Sequence, residues 1–143
     1  MTMTGLEVFD KTIHTTNEWL KDLMFELGWE DRHKAYTALR SSLHALRDNL
    51  TVDEAKDLAS QLPMLIRGFY YENWKPSALP QRTKSKEQFF QRIQDAFPNE
   101  TVDAESIVRA VFKLLHFRIS EGEVQDIRGM LPPAIAELWP QRR

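Results

Sequence analysis

The chain has 143 residues, 42% apolar and 28% charged, with 5 Gly and 7 Pro, a composition typical of a globular chain long enough to bury one core. Cysteine is absent, which excludes a disulfide scaffold, a thiolate zinc site, an iron–sulfur cluster and a cysteine nucleophile. Nineteen Lys and Arg against 21 Asp and Glu leave a net charge of −2, so no global basic field draws the chain to nucleic acid.

The first residues show no basic segment followed by an apolar run, and no stretch reaches the roughly 20 apolar residues of a membrane span. A cytoplasmic location is therefore expected. Leu6, Phe9, Ile13, Leu20, Leu23 and Leu27 recur at three-, four- and seven-residue steps, which predicts a first helix from Gly5 to Leu27. Thr4 and Glu7 are spaced as a capping box at its start, and Gly28 suits the left-handed residue that ends it. Asp31 is placed to cap a second helix carrying Ala35, Leu39, Leu43, Leu46 and Leu50. Thr51 and Glu54 form a second capping box ahead of Ala55, Leu58, Ala59 and Leu62, and Pro63 fits the first turn of a fourth helix with Leu65, Ile66, Phe69 and Tyr70.

Residues 67–92 are a basic island with 6 cations and 2 acids, and Pro76 and Pro80 mark a linker within it. Beyond it, Ser85 and Gln88 open a helix with Phe89, Phe90, Ile93 and Phe97 that stops before Pro98. Ile107, Val111, Leu114 and Leu115 mark the next helix. Ser120 and Glu123 cap another through Val124, Ile127 and Met130, and Pro132-Pro133 opens the last with Ile135, Leu138 and Trp139.

The two halves match in order. Leu43-His44 aligns with Leu115-His116, Thr51-x-x-Glu54 with Ser120-x-x-Glu123, and Leu62-Pro63-x-x-Ile66 with Leu131-Pro132-x-x-Ile135. The expectation is a single all-α domain over 1–143, built from two tandem four-helix repeats at about 5–71 and 85–139 joined by a linker at about 72–84. The repeats should pack as one helical bundle with pseudo-twofold symmetry, because each leaves an apolar face to cover.

Few residues promise chemistry. His44 and His116 occupy equivalent positions, but no His-x-x-x-His or Glu-x-x-His spacing accompanies them, so packing explains them better than a metal does. No Gly-x-Ser-x-Gly elbow and no phosphate-cradling glycine loop occurs. The acids Glu30-Asp31, Asp53-Glu54 and Glu121 with Glu123 sit at helix starts, where capping accounts for them. The most unusual stretch runs from Arg67 through Tyr70, Tyr71 and Trp74 to Lys75, and mixes rings with cations that could anchor the linker, form a partner hot spot or stack on bases. Arg67, Tyr70, Tyr71, Trp74, Lys75, His44 and His116 are the candidate binding residues, with no catalytic residue, metal or cofactor assigned.

The runs Tyr36-Thr37-Ala38-Leu39-Arg40, Leu43-His44-Ala45-Leu46-Arg47-Asp48, Gln61-Leu62-Pro63-Met64-Leu65-Ile66-Arg67-Gly68-Phe69-Tyr70-Tyr71, Gly122-Glu123-Val124 and Glu137-Leu138-Trp139-Pro140 together resemble the bacterial domain-of-unknown-function family 2267. That resemblance implies an all-helical cytoplasmic protein and supplies no activity or catalytic residues to carry over. The expected function is a non-catalytic interaction module with a protein partner. The alternatives are a small-molecule or lipid pocket at the seam of the repeats, lined by Trp19, Phe89, Phe90 and Trp139, and weak nucleic-acid binding through Arg67, Lys75, Arg82, Lys84 and Lys86.

Overall fold

The computed structural model describes residues 3–76, 83 and 85–141. Eight helices make up the described residues, with no strand among them: α1 (Glu7–Leu27), α2 (Arg32–Arg47), α3 (Val52–Ser60), α4 (Met64–Tyr70), α5 (Lys86–Asp95), α6 (Ala104–Arg118), α7 (Glu121–Met130) and α8 (Pro133–Ala136). The all-α bundle read from the periodicity is the observed fold. No helix among the described residues is long and apolar enough to cross a membrane.

Local chemistry sets most boundaries. Asp31, Thr51, Ser85 and Ser120 each accept the backbone N–H three residues on, at 3.1–3.2 Å, which satisfies one orphan donor of each first turn. Gly28 closes α1 at φ 69°, and the N–H groups of Gly28 and Trp29 return to Phe25 O and Met24 O. The first capping box does not form. Leu6 is the N-cap of α1 without a side-chain bond, and Thr4 donates instead to an Asp10 carboxylate oxygen through both its N–H and its hydroxyl.

Two further ends are held by residues that the periodicity does not flag. Asp103 caps α6 through Ser106 N–H, and Gln94 organises the turn before it, donating to Phe97 O and Glu100 O and accepting from Val102 N–H. Pro63 precedes α4 as a cap that has no side-chain bond to give. The α4 N–H of Leu65 is met instead by the Thr12 hydroxyl of α1, at 3.0 Å.

One continuous apolar cluster runs through both halves. α2 is its axis, packing against α1, α4, α5 and α6. α1 packs on α6 as α5 packs on α2; α2 meets α6 and α3 meets α7. The last helices of the halves differ in length, with four residues in α8 against seven in α4. The junction is closed by ion pairs Lys113–Glu26 at 2.9 Å, Arg92–Asp48 at 2.9 Å and Lys34–Glu100 at 3.3 Å. The buried Asn49 donates to Ala45 O and accepts from Thr83 N–H at 2.9 Å, which ties the end of the linker to α2.

Candidate functional site

The aromatic and cationic stretch after α3 is fastened to the bundle by side chains of α2. His44 Nε2–H donates to Phe69 O at 2.7 Å, and Arg47 Nη1 donates to Tyr70 O at 2.6 Å and Glu72 O at 2.8 Å. These are carbonyls at the end of α4, where orphan acceptors collect and cations are favoured. Arg47 also holds Asp48 through Nε at 2.9 Å, and Arg40 holds the Glu72 carboxylate at 2.9 Å. Burial pushes the His44 imidazole below its ordinary value, a shift opposed by the Phe69 bond and reinforced by Arg47 and Arg40.

Arg67 turns back to the end of α3, donating to Ala59 O and Leu62 O. Tyr70 is fully buried and donates its hydroxyl to Ala55 O at 2.8 Å, and burial drives its phenol far above the usual range. Tyr71 and Trp74 are half-buried with their rings 5.3 Å apart, and Asn73 between them takes φ 60°. Lys75 is exposed. Arg82 and Lys84 lie outside the described residues. His116 is buried in α6 with its ring edge-on to Phe117. Among the described residues, neither His44 nor His116 belongs to a group of side chains close enough to share a metal ion.

Of the rings expected at the seam, Trp19 borders a hollow of about 480 Å³ with Leu62 and Arg118, Trp139 borders one of about 340 Å³ with Leu27 and Arg109, and Phe90 is half-buried. Phe89, Trp139 and Trp19 are at most 3% exposed, and Phe112 lies stacked on Trp139 at 4.4 Å and edge-on to Phe89 at 6.1 Å. A larger cleft of about 930 Å³ opens between α1, α2 and α4 of the first half. Its apolar walls are Phe9, Ile13, Leu20, Met64, Leu65 and Phe69, with Tyr36 edge-on to Phe69 at 5.3 Å. Phe9, Met64 and Leu65 are 44–45% exposed and form a half-wetted lip. The buried Thr16 hydroxyl in the wall has no hydrogen-bond partner among the described residues, and the exposed Arg32 and Glu72 stand at the rim. The sequence signal for this cleft is Phe9 and Ile13, which carry the apolar stripe of α1 into its wall.

A second polar group joins the halves. Glu54 on α3 and Glu123 on α7 are 91% and 92% buried, and their carboxylate oxygens lie with one of the exposed Asp126 within 4.8 Å of one another. The expected capping boxes are only half made: the Thr51 and Ser120 hydroxyls cap, but Thr51 N–H goes to Met130 Sδ and Ser120 N–H to Gln61 Oε1. Both glutamates are thereby released from their helix ends and meet across α3 and α7. Desolvation first, then the hydrogen bond and charge of Glu54, with Asp57 and Asp126 adding, push the Glu123 carboxyl up to about 8.

The fold defines an all-α protein whose halves share one core and whose polar groups are spent largely on helix ends. The chain belongs to the family described as "Uncharacterized conserved protein (DUF2267)", whose model matches residues 16–138. No curated protein matches the chain. The match begins inside α1, so Phe9, Thr12 and Ile13, which build one wall of the cleft, precede it.

Proposed function

We propose that this protein is a non-catalytic interaction module that receives the apolar face of a partner helix in the cleft between α1, α2 and α4. The observation that carries this reading is the half-exposed apolar lip of Phe9, Met64 and Leu65 above the Tyr36–Phe69 floor. Contiguous exposed apolar surface with a charged rim is the usual mark of a docking groove. Arg32 and Glu72, of opposite sign at the rim, suit the mixed polar border of an amphipathic helix.

A second reading is favoured by one further observation. Among the described residues the buried Thr16 hydroxyl beside the apolar cavity has no partner and Arg32 makes no ion pair. An amphipathic small molecule with an anionic head and an apolar tail would use both, and the cleft volume of about 930 Å³ lies in the range of small-molecule sites.

One experiment separates the two. A photo-crosslinking residue is placed at Met64, and in a control at the exposed Gln125 of α7, in cells of the source organism. The interaction reading expects a protein-sized adduct at Met64 that is absent at Gln125 and lost when Phe9→Asp is added. An adduct of a few hundred daltons selects the small-molecule reading. No adduct at Met64, or the same adducts at both positions, refutes both.

A further inference from the structure

We propose that Glu54, Glu123 and Asp126 form a divalent-cation site that pins α3 to α7. The sequence carries the same Glu-x-x-Asp spacing twice, Glu54 with Asp57 and Glu123 with Asp126, and residues three apart share a helix face. α3 packs on α7, so the two acidic pairs converge on one seam. Four carboxylates there find no compensating cation: none of them takes part in an ion pair among the described residues.

Capping does not account for the arrangement. The backbone N–H groups that would receive Glu54 and Glu123 are already bonded to Met130 Sδ and Gln61 Oε1. In consequence Glu54 Oε1 and Glu123 Oε2 find no donor among the described residues other than each other's carboxyl, on side chains more than nine-tenths removed from water. Two buried carboxyls that face only each other must either share a proton or hold a metal ion between them, and the adjoining Asp126 oxygen supplies the third ligand that a proton does not need.

The donor set is all oxygen and anionic, which selects a hard cation. Calcium–oxygen distances of about 2.3–2.6 Å place ligands on opposite sides of the ion up to about 5 Å apart, so oxygens within 4.8 Å of one another already suit calcium. Magnesium demands opposite ligands about 4.2 Å apart in near-ideal octahedral geometry and gives up its water reluctantly, which suits a mostly buried set of three carboxylates less well. Asp126 is exposed and gives the ion a route from solvent, with water completing the shell.

The test uses the full chain, stripped with chelator and titrated separately with CaCl₂, MgCl₂ and MnCl₂ by calorimetry and by thermal melting. The expected result is one ion per chain, calcium tighter than magnesium, and a melting temperature raised by several degrees once the metal is in hundredfold excess over Kd. Glu123→Gln and Glu54→Gln should each weaken binding at least tenfold. Asp126→Asn, on the surface and safe for folding, should weaken it measurably as well. The proposal is overturned if none of the three metals gives heat or a melting shift at about 10 mM, beyond the weakest range of protein calcium sites. In that case, melting of Glu123→Gln above wild type identifies a shared proton. It is equally overturned if binding is unchanged in Glu123→Gln and Asp126→Asn, which would put the ion elsewhere.

Discussion

Arg47→Met removes one guanidinium and with it three anchors. Tyr70 O loses its 2.6 Å bond, Glu72 O its 2.8 Å bond, and Asp48 keeps only Arg92. Arg47 is 2% exposed, so water cannot simply replace it at Tyr70 O, and each abandoned buried acceptor costs about 1–3 kcal/mol. Methionine recovers part of the packing of the alkyl stem, which leaves a net loss of about 3–5 kcal/mol, the usual cost of breaking a buried charged anchor. At about 3 °C per kcal/mol for a chain of this size, the melting temperature should fall by about 9–15 °C. Urea unfolding followed by far-ultraviolet circular dichroism measures the loss directly, and Arg47→Lys, which keeps the charge but not the fork, should fall in between. A loss below about 1 kcal/mol would refute the reasoning, because it would mean that the α4 carbonyls are satisfied equally well without the guanidinium. Since Phe69 and Glu72 line the cleft, the same variant should also weaken whatever binds there.

The His44 imidazole, held below its ordinary value by burial, binds its proton more readily in the unfolded chain. Its contribution to stability is therefore present above pH 6.5 and lost as pH falls through the lower folded value. Unfolding free energies between pH 7.5 and 5.5 should decline in the wild type and decline less in His44→Gln. Glu123 has the opposite sign: its carboxyl, raised from 4.5 to about 8, favours folding below pH 4.5 and loses that contribution as pH rises through about 8. In chelator, Glu123→Gln should flatten this alkaline decline of the melting temperature. Gly28→Ala, at φ 69°, should cost about 1 kcal/mol with no change in the cleft, read from denaturant midpoints. Leu39→Ala, fully buried on α2, should cost about 2–5 kcal/mol.

Where a helix end depends on its own residues, the sequence shows it. Asp31, Thr51, Ser85, Ser120 and Gly28 act within three or four positions of themselves, so their spacing reveals them. Thr4 shares the same spacing with Glu7 but finds Asp10 instead, because a solvent-exposed first turn has competing acceptors. The end of α4 is illegible for a different reason. Its donors are His44 and Arg47, 23 to 25 residues upstream, and no local pattern announces a bond of that span. The half-made capping boxes of Glu54 and Glu123 mislead in the same way, since the groups that take their place, Met130 and Gln61, come from the other half of the chain. The Glu-x-x-Asp pairs were visible in the sequence, but their convergence needs the α3–α7 contact.

The position of α1 has a consequence for how the protein is made. Its Leu23 faces Ala110 and Leu114 of α6, Arg118 lies over Trp19, and Glu26 and Asp22 pair with Lys113 and Arg118, which follow 87 and 96 residues later. Synthesis proceeds from the N-terminus at about 5–20 residues per second, so 96 residues correspond to roughly 5–20 s. For that interval Trp19 and Leu23 wait on the ribosome without the surface that will cover them. A chain that stalls before residue 118 exposes that stripe to chaperones and to other nascent copies, and its core closes only when α6 emerges.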